Sequence, residues 1–451
     1  MAITPISGMQ GVNDFVTNER PENWRAGLLR QQPAGQSPLT ALTALMPSRK
    51  VDDFTYNWWT KSLQDKRVAL AAAGDIYTGA ALSVKLGGGG YAANQLAFVK
   101  IADNDAKQIR SGHQVALRNS DDETMVVSAK VIGEPVLNGA SSYVPIQLLE
   151  ADDNSIASPA NRINTTTHMR IIGNINPQGG LRPKAIAYAP TQLFSYTQIF
   201  RTALNLTRTR MQTRSRTGDP YQEAKRDAML DNMLEQELAY LWGERTLTTN
   251  AENGQPETTT RGIVSWIRAE ASENIKAFNL ETDSFFLGKK FKDVGWTWLR
   301  QQMELSFRYT SPGSNGTKLV YAGTLALLHL QEAIEAAGAG YFLRDGQMEF
   351  GIKVQRLVSP FGEWYIQTHP LFSHSAEDQY SMLVLEPANL GWAYIQDTIF
   401  IPQANKEQFC GEGGKDGIDE EFKTEGGLEM YYANTFMQLN GIGKDNTATG
   451  D

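Results

Sequence analysis

The chain has 451 residues, 41% of them apolar and 20% charged, with a formal net charge of −8. That apolar share supports packed cores and excludes wholesale disorder, and the length points to about two to four structural units. The acidic balance excludes a protein that grips nucleic acid over its whole surface, so any contact with DNA is expected to be local or weak.

Residues 1 to about 55 are rich in Pro, Gln, Asn, Ser and Thr, and Pro21, Pro33, Pro38 and Pro47 interrupt any long helix. They read as an extended arm whose apolar anchors, Trp24, Leu28, Leu29, Leu39, Leu42, Leu45 and Met46, suit lying against another surface. A disordered tail is the alternative on composition. Nothing near Met1 resembles a secretory signal, and no apolar run approaches the ~18–20 residues of a membrane helix. Synthesis and use in the cytoplasm are expected, in keeping with the single cysteine, Cys410.

Phe54, Tyr56 and Trp58 alternate and predict a strand with three rings on one face. Residues 74–108 read as loose, broken by Gly79 and the Gly87–Gly90 run. From 110 to 150 three short alternating runs (Val115 and Leu117; Val127, Ala129 and Val131; Val144, Ile146 and Leu148) predict a small antiparallel β-module. Residues 186–216 are strand-like again. Their last part carries Arg208, Arg210, Arg214 and Arg216 at one parity, so on a strand all four point the same way.

A helix is expected from Pro220 to Gly243. Asp219 is a good N-cap, Pro220 suits the first position and Gly243 the end. Tyr221, Ala224, Ala228, Leu230, Met233, Leu234, Leu238 and Leu241 recur at helical spacing and read as its buried stripe, opposite a charged face. A polar loop at 245–260 and a helix at Val294–Phe307 follow. From about 315 the pattern is compact: a strand at Leu319–Ala322, a helix capped by Thr324 and ended by Gly338, then further strands not in βαβ alternation. A mixed or antiparallel sheet with helices packed on it is expected, hence an α+β class. An acidic stretch, Glu412–Glu429, leads to a last strand through Leu428, Met430 and Tyr432.

Chemistry-bearing motifs are sparse. His369 and His374 are separated by Pro370, which argues against an aligned metal-binding pair. Asp103-Asn104-Asp105 lacks the glycine and closing glutamate of a calcium loop. Cys410 has no nearby base or cation to activate it. No catalytic, cofactor or metal residues are assigned, and an enzyme is not expected. The arginine set is the most specific electrostatic feature. A solvated face is the plain reading. Pairing with acidic groups of a neighbouring subunit, or contact with DNA phosphates, are the functional ones, and pairing suits both the planar guanidinium and the acidic chain.

The order of these parts resembles the Hong Kong 97-type fold of tailed-phage major capsid proteins, in the subfamily with a β-module inserted in the extended loop. The stretches that carry the resemblance are Asp52–Leu63, Phe194–Phe200, Leu230–Gly243, Arg261–Ile267 and Thr424–Asn434. The resemblance implies an arm (1–55), an extended loop (56–108 and 153–195) interrupted by a small β-barrel-like module (109–152), a peripheral domain with a spine helix (196–315), an axial domain (316–400) and a return with the C-terminal tail (401–451). It implies a head protein that self-assembles as hexamers and pentamers into an icosahedral shell around double-stranded DNA, without a cofactor. Scaffolding, portal and decoration proteins would be partners. Arg208, Arg210, Arg214, Arg216, Trp58 and Trp59 are the candidate intersubunit contacts. On this reading much of the first two hundred residues lacks a core of its own and is buried on sister chains, residues 74–108 form a hinge, and no covalent cross-link through Lys85, Lys100 or Lys107 is expected. An encapsulin-like shell, or a β-rich virion protein acting on glycans, are the other readings left open.

Overall fold

A computed structural model describes residues 46–445, apart from 62–64, 87–90, 122–125, 153–162, 181, 214–217, 280–284, 310–315, 339–342, 345–347, 350–351, 354 and 404–415. Two compact units emerge: one built from residues 1–60 with 192–451, the other from 61–191.

In the 61–191 unit, apolar residues at every second position make strands with one buried face. The three predicted runs form His113–Arg118, Val126–Val131 and Tyr143–Leu148. They belong to a seven-stranded sheet ordered Arg67–Ala69, His168–Asn174, His113–Arg118, Val126–Val131, Tyr143–Leu148, Leu96–Lys100, Ile76–Tyr77, with antiparallel neighbours throughout. A bridge between Leu70 and Ile101 ties the first strand back to the Leu96–Lys100 strand, so the sheet closes on itself. Val99, Val115, Leu117, Val127, Val131, Val144, Ile146, Leu148 and Met169 fill the interior and are fully buried.

Two expectations fall here. The described residues of 74–108 are not loose: they supply two barrel strands, the short helix Asp103–Ala106, and the buried Ile76, Leu86, Ile101 and Ala106. Nor does this part of the chain lack a core of its own, because the described residues of 61–191 enclose one. The alternation Ala97–Val99–Ile101 was hidden beside the glycine run Gly87–Gly90, which itself lies outside the described residues.

The other unit holds a four-stranded sheet and a mixed seven-stranded sheet, with helices packed on them, an α+β arrangement. The smaller sheet runs Ser48–Lys50, Leu390–Ile401, Gly417–Met430, Gln198–Thr207; its first pair is parallel and the others antiparallel. The expected acidic stretch is thus mostly the 14-residue strand Gly417–Met430, with Ile418, Glu420, Phe422 and Thr424 turned inward. The larger sheet centres on Thr317–Ala322, which runs parallel to Gly362–Thr368 and antiparallel to Met382–Leu385. Helices Phe291–Phe307 and Thr324–Ala336 cover it through Trp298, Leu299, Met303, Leu330 and Ile334. Gly323, not Thr324, caps the second helix, and Gly338 ends it at φ +66°. The 245–260 loop is a hairpin, Thr246–Thr249 with Pro256–Thr259.

Candidate intersubunit surface

The strand Thr55–Thr60 turns Tyr56 and Trp58 into the core and leaves Trp59 64% exposed. Tyr56 Oη donates to the Leu428 carbonyl at 2.9 Å, and Trp58 Nε1 to that of Met430 at 3.1 Å. Of the two tryptophans singled out, Trp58 is therefore covered by its own chain, where it packs on Trp266 at a ring distance of 5.4 Å. Trp59 is open.

The arginine set is not a strand stripe. The strand ends at Thr207, and Arg208–Gln212 form one short helix, with the Thr207 hydroxyl accepting from Arg210 N at 3.4 Å. A helical turn splays residues two apart, so Arg208 and Arg210 do not share a direction. Both are exposed. Arg208 Nε pairs with Asp416 Oδ1 at 3.0 Å within the same chain. Arg214 and Arg216 lie outside the described residues.

The long helix forms as expected, over Pro220–Trp242, with Asp219 Oδ1 accepting from Tyr221 N at 3.0 Å and Gly243 at its C-cap. Its 23 residues span roughly 35 Å. The face it buries is not the leucine stripe. Against the smaller sheet lie Ala228, Asn232, Gln236 and Tyr240, with Glu237 and Leu241 also buried. Asn232 Nδ2 donates to Thr202 Oγ1 at 3.1 Å. Gln236 Nε2 donates to Asn232 Oδ1 at 2.6 Å and to Thr424 Oγ1 at 3.1 Å. Glu237 meets the fully buried His369 Nε2, whose Nδ1 accepts from Leu371 N at 3.2 Å. Pro370 thus starts a helix, Pro370–His374, with His369 as its cap, instead of preventing one. Buried amides and carboxylates are tolerated because the sheet and this cap supply partners. The spacing of Asn232 and Gln236, four apart beside Ala228 and Tyr240, was the available signal for this polar seam.

What the helix leaves outside includes a row of leucines. Leu230, Leu234 and Leu238 are 40%, 42% and 42% exposed, and Met229 is 48% exposed. Positions four apart form a ridge along a helix. A second ridge of the same pitch, Glu223, Asp227, Asp231 and Glu235, runs beside the leucines. The outer face is therefore a leucine row, continued toward the helix N-terminus by the exposed Arg226, with an acidic row beside it. Lys225 is turned aside, its Nζ 3.6 Å from the centre of the Phe400 ring.

Among the described residues no group of three or more His, Cys, Asp or Glu is placed to hold a metal ion. Comparison with known proteins identifies the family. The family model of the SU10 major capsid protein matches residues 9–443. The chain belongs to that family. The major capsid protein of Pseudomonas phage PaMx41 is 24% identical to this capsid protein over 354 residues, which cover 77% of this chain and 72% of that one. Among solved structures, one of Microbacterium phage Oxtober96 matches at a TM-score of 0.41 and 9% identity, over 94% of this chain and 95% of that chain. An encapsulin from Synechococcus elongatus matches at a TM-score of 0.36 and 10% identity, over 58% of this chain and 79% of that one. As a phage major capsid protein the chain is a structural component of the virion, consistent with the fold class read from its sequence.

Proposed function

We propose that this capsid protein assembles with copies of itself, as hexamers and pentamers, into an icosahedral shell that encloses the phage's double-stranded DNA. The observation that carries the reading is the family match, which runs through nearly the whole chain, from 9 to 443. Assembly takes place in the host cytoplasm, with scaffolding, portal and decoration proteins as partners and only weak contact with DNA, in keeping with the net charge of −8.

Arg208, Arg210, Arg214, Arg216 and Trp59 make contacts between subunits. An exposed ion pair such as Arg208 with Asp416 contributes about 0–1 kcal/mol, so a neighbour's carboxylate can replace Asp416 at little cost. Individually weak contacts, repeated many times per subunit, let misplaced subunits leave and yet hold the finished shell. Trp58 supports the strand that presents Trp59.

Negative-stain microscopy of the protein expressed alone tests the reading. Closed particles or hexameric sheets support it; a stable monomer at high concentration overturns it. Arg208→Gln with Arg210→Gln impairs assembly, and normal particles from that variant remove the arginines from the interface.

A further inference from the structure

The leucine row of the long helix is an exposed apolar strip, and such strips in soluble proteins mark places where something docks. Its occupant has to present apolar side chains, and positive charge on it is favoured because the exposed Asp231 lies beside Leu230, Leu234 and Leu238, in a row with Glu223, Asp227 and Glu235, which accepts from Thr202 Oγ1 at 3.4 Å; Arg226 continues the leucine row. One segment of the chain has that chemistry. Between Asn23 and Leu45 there is no acidic residue, two arginines (Arg25 and Arg30) and six large apolar residues: Trp24, Leu28, Leu29, Leu39, Leu42 and Leu45. This segment lies outside the described residues.

The described chain begins where such docking is within reach. Met46 is buried in the same apolar cluster as Tyr240 and Leu241, in the last turns of the long helix. Eighteen residues separate Met46 from Leu28, up to roughly 60 Å of extended chain. From Asp227 to Leu238 the helix rises only about 17 Å. A tether of this length also keeps the segment at an effective concentration on the order of millimolar.

We propose that, in the unassembled subunit, residues 23–45 dock on the outer face of their own long helix. Trp24, Leu28 and Leu29 lie on the leucine row, and Arg25 and Arg30 meet the acidic row. The contact hides the apolar strip while the subunit is free in solution, which limits non-specific association. The inference does not depend on the geometry of the shell.

Limited trypsin digestion of the dilute, full-length subunit tests it, because the enzyme cuts after Arg25 and Arg30. Docked, these bonds are protected, and cleavage follows the population of the open form. Leu230→Ser with Leu234→Ser and Leu238→Ser alters exposed positions, so the fold stays intact, as circular dichroism would verify. In that variant cleavage after Arg25 and Arg30 is expected to accelerate at least about tenfold, corresponding to about 1.4 kcal/mol of lost docking. Asp227→Asn with Asp231→Asn should act in the same direction, and high salt should accelerate cleavage of the unaltered protein. Equal rates in the unaltered and serine-substituted proteins overturn the proposal. Protection that disappears on tenfold dilution overturns docking within one chain and assigns the strip to another copy.

Discussion

Lys318 and Glu386 form an ion pair in the interior, Nζ to Oε2 at 3.1 Å, with side chains 1% and 2% exposed. Lys318 also donates to the Thr435 carbonyl. Its strand runs beside Gly362–Thr368, with Lys318 in register with Trp364. Two buried charges lose hydration that their mutual attraction only roughly restores, whereas one of them left alone has no compensation. Lys318→Met and Glu386→Leu, made singly, should therefore each destabilise the unit by about 3–5 kcal/mol, while the double replacement should be neutral or stabilising by about 1–4 kcal/mol. The non-additivity in the cycle then exceeds about 6 kcal/mol. Urea unfolding of the unassembled subunit followed by tryptophan fluorescence is the suitable assay, because none of the nine tryptophans lies between 61 and 191 and the signal reports the other unit alone. Single variants that each cost less than about 1 kcal/mol, with an additive double, would refute the reasoning. The pair also has a pH signature. Burial lowers the Lys318 pKa below its ordinary 10.5. Between the lowered value and 10.5 the unfolded chain binds more protons than the folded one, so this group's contribution to stability rises with pH. The unaltered protein should accordingly gain stability relative to Lys318→Met as pH rises through that window.

Two further outcomes are expected. A Cβ on Gly427 would stand 2.6 Å from Thr260 Oγ1 and 2.9 Å from the Tyr196 carbonyl, so Gly427→Ala should destabilise by about 1–3 kcal/mol. A melting temperature within 1 °C of the unaltered protein would show that the sheet yields there. Leu117 is fully buried in the barrel, and Leu117→Ala should cost that unit about 2–5 kcal/mol. Hydrogen exchange should accelerate in the strands from 113 to 148 and stay unchanged in Gln198–Thr207; equal acceleration in both would mean the units do not unfold separately.

The three alternating runs between 113 and 148, the long helix with Asp219 before it and Gly243 after it, and the order of motifs that resembles phage capsid proteins were all legible in the residues themselves. The runs and the helix depend on local periodicity, capping and composition, which neighbouring positions determine. The short helix at Arg208–Gln212 was missed because five residues leave too little periodicity to separate a helical turn from a strand.

Tertiary structure decided which way the long helix faces. Periodicity shows that its faces differ, but both the leucine row and the Asn232–Gln236 row repeat every four residues. The polar row goes inside because Thr202, Thr424 and His369, distant in sequence, hold the partners that make its burial affordable. The leucines are left outside as a consequence. Barrel closure has the same origin: the Leu70–Ile101 bridge and the pairing of Leu96–Lys100 with Tyr143–Leu148 join segments tens of residues apart. Local pattern limits each segment to a few conformations, and only the long-range partners select among them.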